Sequence, residues 1–151
     1  MNTKSKPNII VFFTDQQRWD TSSLHGNPLS LMENFDHYAV EGTHLYNSFT
    51  CQPVCGPARA SLQSGMYATK TGCFKNRIPL KKNIKTLAKY LSKEGYATGY
   101  IGKWHLGSSE PVKKEDRGGY DYWLGSNLLE FTSDAYETYV YDGQNKKVFL
   151  P

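Results

Sequence analysis

The sequence predicts an α/β fold with a largely parallel sheet flanked by helices. Three observations predict it: a continuous β-branched and aromatic run near the N-terminus, apolar residues at helical spacing in the middle of the chain, and an alternation of the two patterns. With 151 residues, 38% hydrophobic and 21% charged, the chain is long enough to bury one sizeable core and is expected to form one domain over residues 1–151. A net charge of only +4, with 13 Gly and 7 Pro scattered rather than periodic, excludes a disordered or collagen-like chain.

The first element is expected over Asn8–Thr14, a β-branched and aromatic run of the kind found in strands buried on both faces. It ends at Asp15 and Gln16, polar residues at the strand end where open α/β sheets place ligand chemistry. Leu31, Phe35 and Tyr38 predict a helix within Ser30–Val40 that stops at Gly42, and Leu45–Phe49 reads as a short strand. Pro57 suits a first helical turn, so a helix is expected from Gly56 to Ser64 with Gly65 as its stop. Ile84, Leu87, Ala88 and Leu91 form an apolar stripe that predicts a helix over Asn83–Glu94. Strands are expected over Tyr96–Ile101, Tyr120–Leu124 and Tyr136–Tyr141.

The longest apolar run, Ile9–Phe13, is far below the roughly 20 residues that span a bilayer, so no membrane partner is expected. The few apolar residues after Met1–Pro7 fall short of a secretory core of about 7 to 15, which points to the cytoplasm. Three cysteines, Cys51, Cys55 and Cys73, fit a reducing compartment better than a disulfide framework. Between Gly42 and Lys93 there is no Asp or Glu, whereas Arg59, Lys70, Lys75, Arg77, Lys81, Lys82, Lys85, Lys89 and Lys93 all fall there. That stretch attracts anions, but no nucleic-acid motif accompanies it, and nucleic acid is not an expected partner.

Cys55-Gly56-Pro57-Ala58-Arg59 carries the most chemistry. A sulfur at a helix start meets unpaired backbone N–H groups and the positive dipole end, which favour a thiolate or a bound oxyanion. Arg59 adds a planar fork of donors one turn on. The spacing excludes a cysteine phosphatase, because Ser61 stands where that enzyme needs its Arg, and no second Cys or His pair completes a zinc site. Lys103 and His105 are two apart and face the same way on an extended segment, with Trp104 turned to the other side to pack.

Three ordered motifs resemble the sulfatases of the alkaline-phosphatase-like superfamily. They are Pro7-Asn8-Ile9-Ile10-Val11-Phe12-Phe13-Thr14-Asp15-Gln16, the run from Cys55 to Gly65, and Gly99-Tyr100-Ile101-Gly102-Lys103-Trp104-His105-Leu106-Gly107. The resemblance implies an alkaline-phosphatase/sulfatase-like fold of which this chain is the N-terminal part of the catalytic domain. It implies a hydrolase of sulfate esters in which Cys55 is oxidised to formylglycine by a maturation enzyme, and the hydrated aldehyde attacks sulfur beside Ca²⁺ or Mg²⁺. By the same resemblance Asp15, Gln16 and the modified Cys55 ligate the metal, and Arg59 holds the formylglycine. Lys103 binds the sulfate, and His105 hydrogen-bonds the formylglycine hydroxyl. The substrate is a sulfated small molecule or carbohydrate.

The later segment that completes the family's metal site has no counterpart here, since Asp121, Asp134 and Asp142 stand outside matching contexts. The chain alone is therefore expected to bind metal weakly or not at all, and the Lys147–Pro151 end reads as interrupted. The alternatives are a phosphonate or phosphodiester hydrolase of the same superfamily and a truncated non-catalytic remnant.

Overall fold

The helices begin and end where side chains or turns can satisfy backbone groups that a helix leaves unpaired. The computed structural model describes residues 6–134 and 136–151, so Met1–Ser5 of the N-terminal segment lie outside the described residues. The chain divides into two compact units, Met1–Ser48 and Phe49–Pro151.

The first unit holds helix α1, Glu33–Glu41, which matches the expected helix and ends as the Gly42 N–H returns to the Tyr38 carbonyl at 2.8 Å. Glu33 and Asp36 in its first turn complement the helix dipole. Asp36 also accepts from Ser22 Oγ at 2.5 Å and from the Ser23 N–H at 3.0 Å. Those bonds, the Ser22 hydroxyl foremost, hold its carboxyl below the ordinary carboxylate range. Trp19 stacks on His25 with ring centroids 4.0 Å apart, Tyr46 meets Trp19 edge-on at 5.3 Å, and His25 Nε2 lies 3.1 Å from His44 Nε2.

The strands expected over Asn8–Thr14 and Leu45–Phe49 are not formed. β-propensity makes a segment fit for a ladder, but a strand exists only through a partner, and no strand is present among the described residues of the first unit. Ile10 and Phe12 are accordingly 90% and 89% exposed. Tyr46 is committed instead to the ring cluster with Trp19 and His25.

The second unit carries α2 (Cys55–Ser64), α3 (Ala68–Thr71), α4 (Leu87–Lys93) and the strands β1 (Gly99–Lys103), β2 (Tyr122–Ser126), β3 (Tyr139–Asp142) and β4 (Lys147–Phe149). α2 is the helix expected from the Cys-Gly-Pro-Ala-Arg run, and Gly65 stops it in the left-handed conformation. α4 starts four residues later than the apolar stripe suggests, because Thr86 is its N-cap and accepts from the Lys89 N–H at 3.4 Å. The sheet order is β1-β2-β3-β4, with β1 parallel to β2 and the other pairs antiparallel, so the described sheet is mixed. β1, β2 and β3 lie about two residues beyond the strands expected over Tyr96–Ile101, Tyr120–Leu124 and Tyr136–Tyr141, and β4 has no counterpart among them.

The β1–β2 pairing runs from Gly99 opposite Tyr122 to Lys103 opposite Ser126. It then continues beyond the strands through Trp104 N–H to Ser126 O at 2.7 Å and His105 N–H to Asn127 O at 2.8 Å. The backbones come close here, since a Cβ at Gly125 would lie 2.7 Å from the Gly102 carbonyl oxygen. The core of this unit is Ala60, Cys73, Leu80, Trp104, Leu106, Val112 and Trp123. Burying Leu106 or Val112 contributes about 1.5–3 kcal/mol each. Tyr100 stacks on Trp123 at 5.3 Å and meets Trp104 edge-on at 4.9 Å. Cys73 is buried and donates to the Ile78 carbonyl at 3.0 Å, and burial raises its thiol pKa, so it serves as a core residue.

Arg117 is buried yet fully provided for. It donates to the carbonyls of Val112 at 3.0 Å and Gly143 at 2.8 Å and to Asn145 Oδ1 at 2.6 Å, and so fixes the β3–β4 turn. Burial lowers its pKa from the usual value, with Asp142 opposing. Among the described residues no helix is long and apolar enough to cross a membrane.

Thr86 joins α4 to the rest of the unit, because its hydroxyl also donates to the Gly118 carbonyl and its side chain is buried. Thr86→Ala is expected to destabilise the fold by about 1–2 kcal/mol in urea unfolding, through loss of the cap and an unanswered carbonyl. Thr86→Ser keeps the hydroxyl and should recover most of that loss.

Candidate functional site

The N-terminus of α2 is built for close approach. Cys55 is its first residue and is half-buried, while Gly56 and Pro57 behind it are buried. The Gly56 N–H donates to Asn76 Oδ1 at 2.8 Å, which satisfies one of the donors the first turn leaves open. A Cβ at Gly56 would lie 3.1 Å from that oxygen, so a side chain here would require Asn76 to shift, and 3.6 Å from the His105 carbonyl oxygen, an ordinary contact.

The C-terminal end of β1 meets that helix start. Lys103 is buried, and its Nζ lies 3.7 Å from Cys55 Sγ and is bonded to a Glu130 carboxylate oxygen. His105, with φ of 57°, sits in the left-handed region that few residues other than glycine adopt. Its N–H bond to the Asn127 carbonyl holds it there. Trp104 between them is 1% exposed and turns into the core, where its Nε1 donates to the Asp116 carbonyl at 2.9 Å. A ring nitrogen of His105, Cys55 Sγ and a Glu130 carboxylate oxygen lie within 4.8 Å of one another. The structure thus brings Cys55, Lys103 and His105 together.

Arg59 is one turn along α2 and buried. Its Nη1 donates to the Lys103 carbonyl and lies 3.4 Å from the Tyr100 hydroxyl, which itself donates to the same carbonyl. The guanidinium therefore fastens the helix to the end of β1, directly behind the Lys103 side chain.

Glu130 escaped the sequence reading. It follows Leu128 and Leu129 in a single 3₁₀ turn, Leu129–Phe131, and no spacing relative to Cys55 or Lys103 marks it. Partial burial pushes its carboxyl up, but the hydrogen bond from Lys103, its own backbone, and the charges of Lys103 and His105 outweigh that and hold it below the ordinary range. Asp15 and Gln16 lie in the first unit and are exposed. Asp121 accepts from the Thr98 N–H and hydroxyl, both at 2.9 Å, and Asp142 accepts from the N–H groups of Gln144 and Lys146, both at 2.8 Å. Both carboxylates serve the backbone. His37 lies 3.6 Å from Glu41 on the exposed face of α1.

The donors around Cys55 in the second unit are a sulfur, an imidazole nitrogen and one carboxylate already paired with an ammonium. Ca²⁺ and Mg²⁺ take about six to eight oxygen ligands, so this cluster by itself does not fit either ion.

The fold and the site define an α/β protein of the alkaline-phosphatase-like class, with its reactive position at a helix N-terminus beside the C-terminal end of a parallel strand. The sulfatase family pattern matches residues 7–150. The chain belongs to the sulfatase family. It is 39% identical over 132 residues to "Uncharacterized sulfatase YidJ" of Escherichia coli, covering 82% of this chain and 26% of that protein. It is 37% identical over 147 residues to an ulvan-active sulfatase of Formosa agariphila, covering 95% of this chain and 28% of that one. The solved structure of BT4656, in complex with its substrate D-glucosamine-2-N,6-O-disulfate, superposes with a TM-score of 0.81 at 28% identity, covering 97% of this chain and 28% of that one. The chain spans about a quarter of the length of the curated relatives it matches.

The Lys103–Glu130 pair makes a pH-dependent contribution to stability. The folded pKa of Glu130 is depressed, so the contribution is complete above the ordinary carboxylate pKa and is lost as pH falls through the lower folded value. Because Glu130 is half exposed, its size is under about 1 kcal/mol. Urea unfolding of the native protein and of Glu130→Gln should therefore differ at pH 7 and converge on acidification below about pH 4. A difference that persists unchanged at low pH would show that the pair contributes nothing through ionisation.

Proposed function

We propose that the protein to which this chain belongs hydrolyses sulfate monoesters of a carbohydrate, with position 55 carried as formylglycine after oxidation of Cys55 by a maturation enzyme. The observation that supports it most is the meeting of Cys55, Lys103 and His105 at the N-terminus of α2. When present, formylglycine supplies a nucleophilic hydroxyl and a divalent cation supplies Lewis-acid stabilisation of the reacting oxygens.

The chain's own residues do the rest. The Lys103 ammonium, bonded to Glu130 and 3.7 Å from Cys55 Sγ, is placed to grip oxygens of a sulfate lodged against position 55. Preorganised charge of this kind acts on the anion without reorganising during reaction. A ring nitrogen of His105 lies within 4.8 Å of Cys55 Sγ, and to it we assign holding or moving the proton of the position 55 hydroxyl. Arg59 fixes the backbone from which Lys103 reaches. Asp15 and Gln16 are the residues we assign, on the family pattern, as hard-oxygen ligands of Ca²⁺ or Mg²⁺.

The carbohydrate class rests on the relatives. One acts on ulvan by name, another is the N-acetylglucosamine-6-O-sulfatase of Bacteroides thetaiotaomicron, 34% identical over 118 residues, and BT4656 was solved with a disulfated glucosamine. No relative named here is a phosphonate or phosphodiester hydrolase, so that alternative is not favoured.

The full-length protein, matured with its partner enzyme, should carry an aldehyde at position 55 by peptide mass spectrometry and turn over aryl sulfate much faster than aryl phosphonate. Lys103→Ala is expected to lower kcat/KM on aryl sulfate by about 10²–10³, and His105→Ala by about 10²–10⁴. An unmodified Cys55 with no turnover would favour the non-catalytic reading, and faster phosphonate turnover would favour the phosphonate hydrolase.

A further inference from the structure

The acid-free stretch between Gly42 and Lys93 is not uniformly available to solvent anions. Lys89 Nζ is bonded to the carbonyls of Lys82 and Ile84, both at 3.0 Å, and Lys82 lies 3.7 Å from Glu115. Lys70, Lys81, Lys85 and Lys93 are exposed and in no ion pair among the described residues, and so are Lys75 and Arg77, which alone of these lie next to Asn76.

Their place in the fold sets them beside the site. They flank Asn76, whose Oδ1 accepts from Gly56 at 2.8 Å and whose Cα would lie 3.6 Å from a Cβ at Gly56. Consecutive Cα atoms are about 3.8 Å apart, so the two cationic residues start within one residue of a direct contact with the helix N-terminus that bears Cys55. The loop is held at both ends. Gln52 Nε2 donates to the Phe74 carbonyl at 2.8 Å, Cys73 Sγ donates to the Ile78 carbonyl at 3.0 Å, and the Leu80 N–H donates to the Leu106 carbonyl at 2.9 Å. Arg77 itself sits at φ 68°, a left-handed conformation that costs a residue with a side chain energy and concentrates at functional positions.

We infer that Lys75 and Arg77 form a second anion subsite at the rim of the Cys55 site, for a further sulfate or carboxylate on the same saccharide whose ester is cleaved. This rests on the sulfatase reading and narrows its substrate to saccharides with more than one negative group. A loop anchored at Phe74, Ile78 and Leu80 carries the two cations, and an arginine fork favours planar or tetrahedral oxyanions through paired donors. The Lys103 ammonium is left to the reacting sulfate, and the second group sets affinity and register.

The test is calorimetric binding of two sugars to the full-length protein: glucosamine-2-N,6-O-disulfate and N-acetylglucosamine-6-O-sulfate. The native protein should bind the disulfated sugar more tightly, with a preference that shrinks as salt is raised. Lys75→Ala with Arg77→Ala should cut the ratio of the two affinities by roughly tenfold, the size of a lost charge-assisted contact. Arg77→Lys should restore part of it. Equal affinities in the native protein, or a ratio that the double variant leaves intact, would overturn the subsite. Turnover of aryl sulfate is read separately: if it is present while the ratio does not respond, the subsite fails and the sulfatase reading stands. If turnover is absent while the ratio responds, the catalytic reading fails and the subsite stands.

Discussion

The bond from Arg59 to the Lys103 carbonyl is the constraint on which the rest of the second unit's site depends. It joins the helix that starts with Cys55 to the strand that ends with Lys103, and the Tyr100 hydroxyl shares the same carbonyl. From the other side, β2 extends its pairing to the N–H groups of Trp104 and His105. Lys103 and His105 are thus pinned by backbone on one flank and by a buried guanidinium on the other. Trp104 between them is driven into the core, so the two polar neighbours are forced to the opposite side. A buried guanidinium that donates to a carbonyl avoids the cost of an unpaired buried charge, and at the same time it sets where an ammonium can reach.

Charge is arranged in layers around this anchor. Lys103 is buried and faces Cys55, and Glu130 holds its ammonium from the solvent side. The bond from Lys103 helps hold the Glu130 carboxyl below the ordinary range. Farther out, Lys75 and Arg77 stand on a loop fixed to the same helix N-terminus through Asn76.

What the sequence made legible was what depends on local chemistry. α2 followed from a proline in its first turn and a glycine after its last, and the packing of Trp104 opposite Lys103 and His105 followed from alternation. What it concealed depends on distant partners. Asn8–Thr14 has every residue preference of a strand and no described partner in its unit, and Leu45–Phe49 fails for the same reason. The start of α4 was misplaced because the apolar stripe runs back to Ile84, whereas the Thr86 hydroxyl serves both as cap and as donor to Gly118, more than thirty residues on. Glu130 was invisible because nothing in Leu128–Phe131 marks an acidic residue as a partner for a lysine twenty-seven positions earlier.

The donor chemistry of the second unit also separates two tasks within the proposed reaction. A sulfur, an imidazole and a carboxylate bound to an ammonium make a poor cradle for a hard cation, whereas the Lys103 ammonium supplies the positive charge that an oxyanion beside position 55 needs. Holding the sulfate and managing the proton at position 55 therefore belong to α2 and the end of β1. In that proposal the cation falls to hard oxygens, of which this cluster has only the Glu130 carboxylate. Groups that only grip the anion act on ground state and transition state alike, whereas a cation at the reacting oxygens acts where charge develops. In the proposed reaction Lys103 grips the sulfate ester, and cleavage needs hard oxygen ligands that this cluster does not supply.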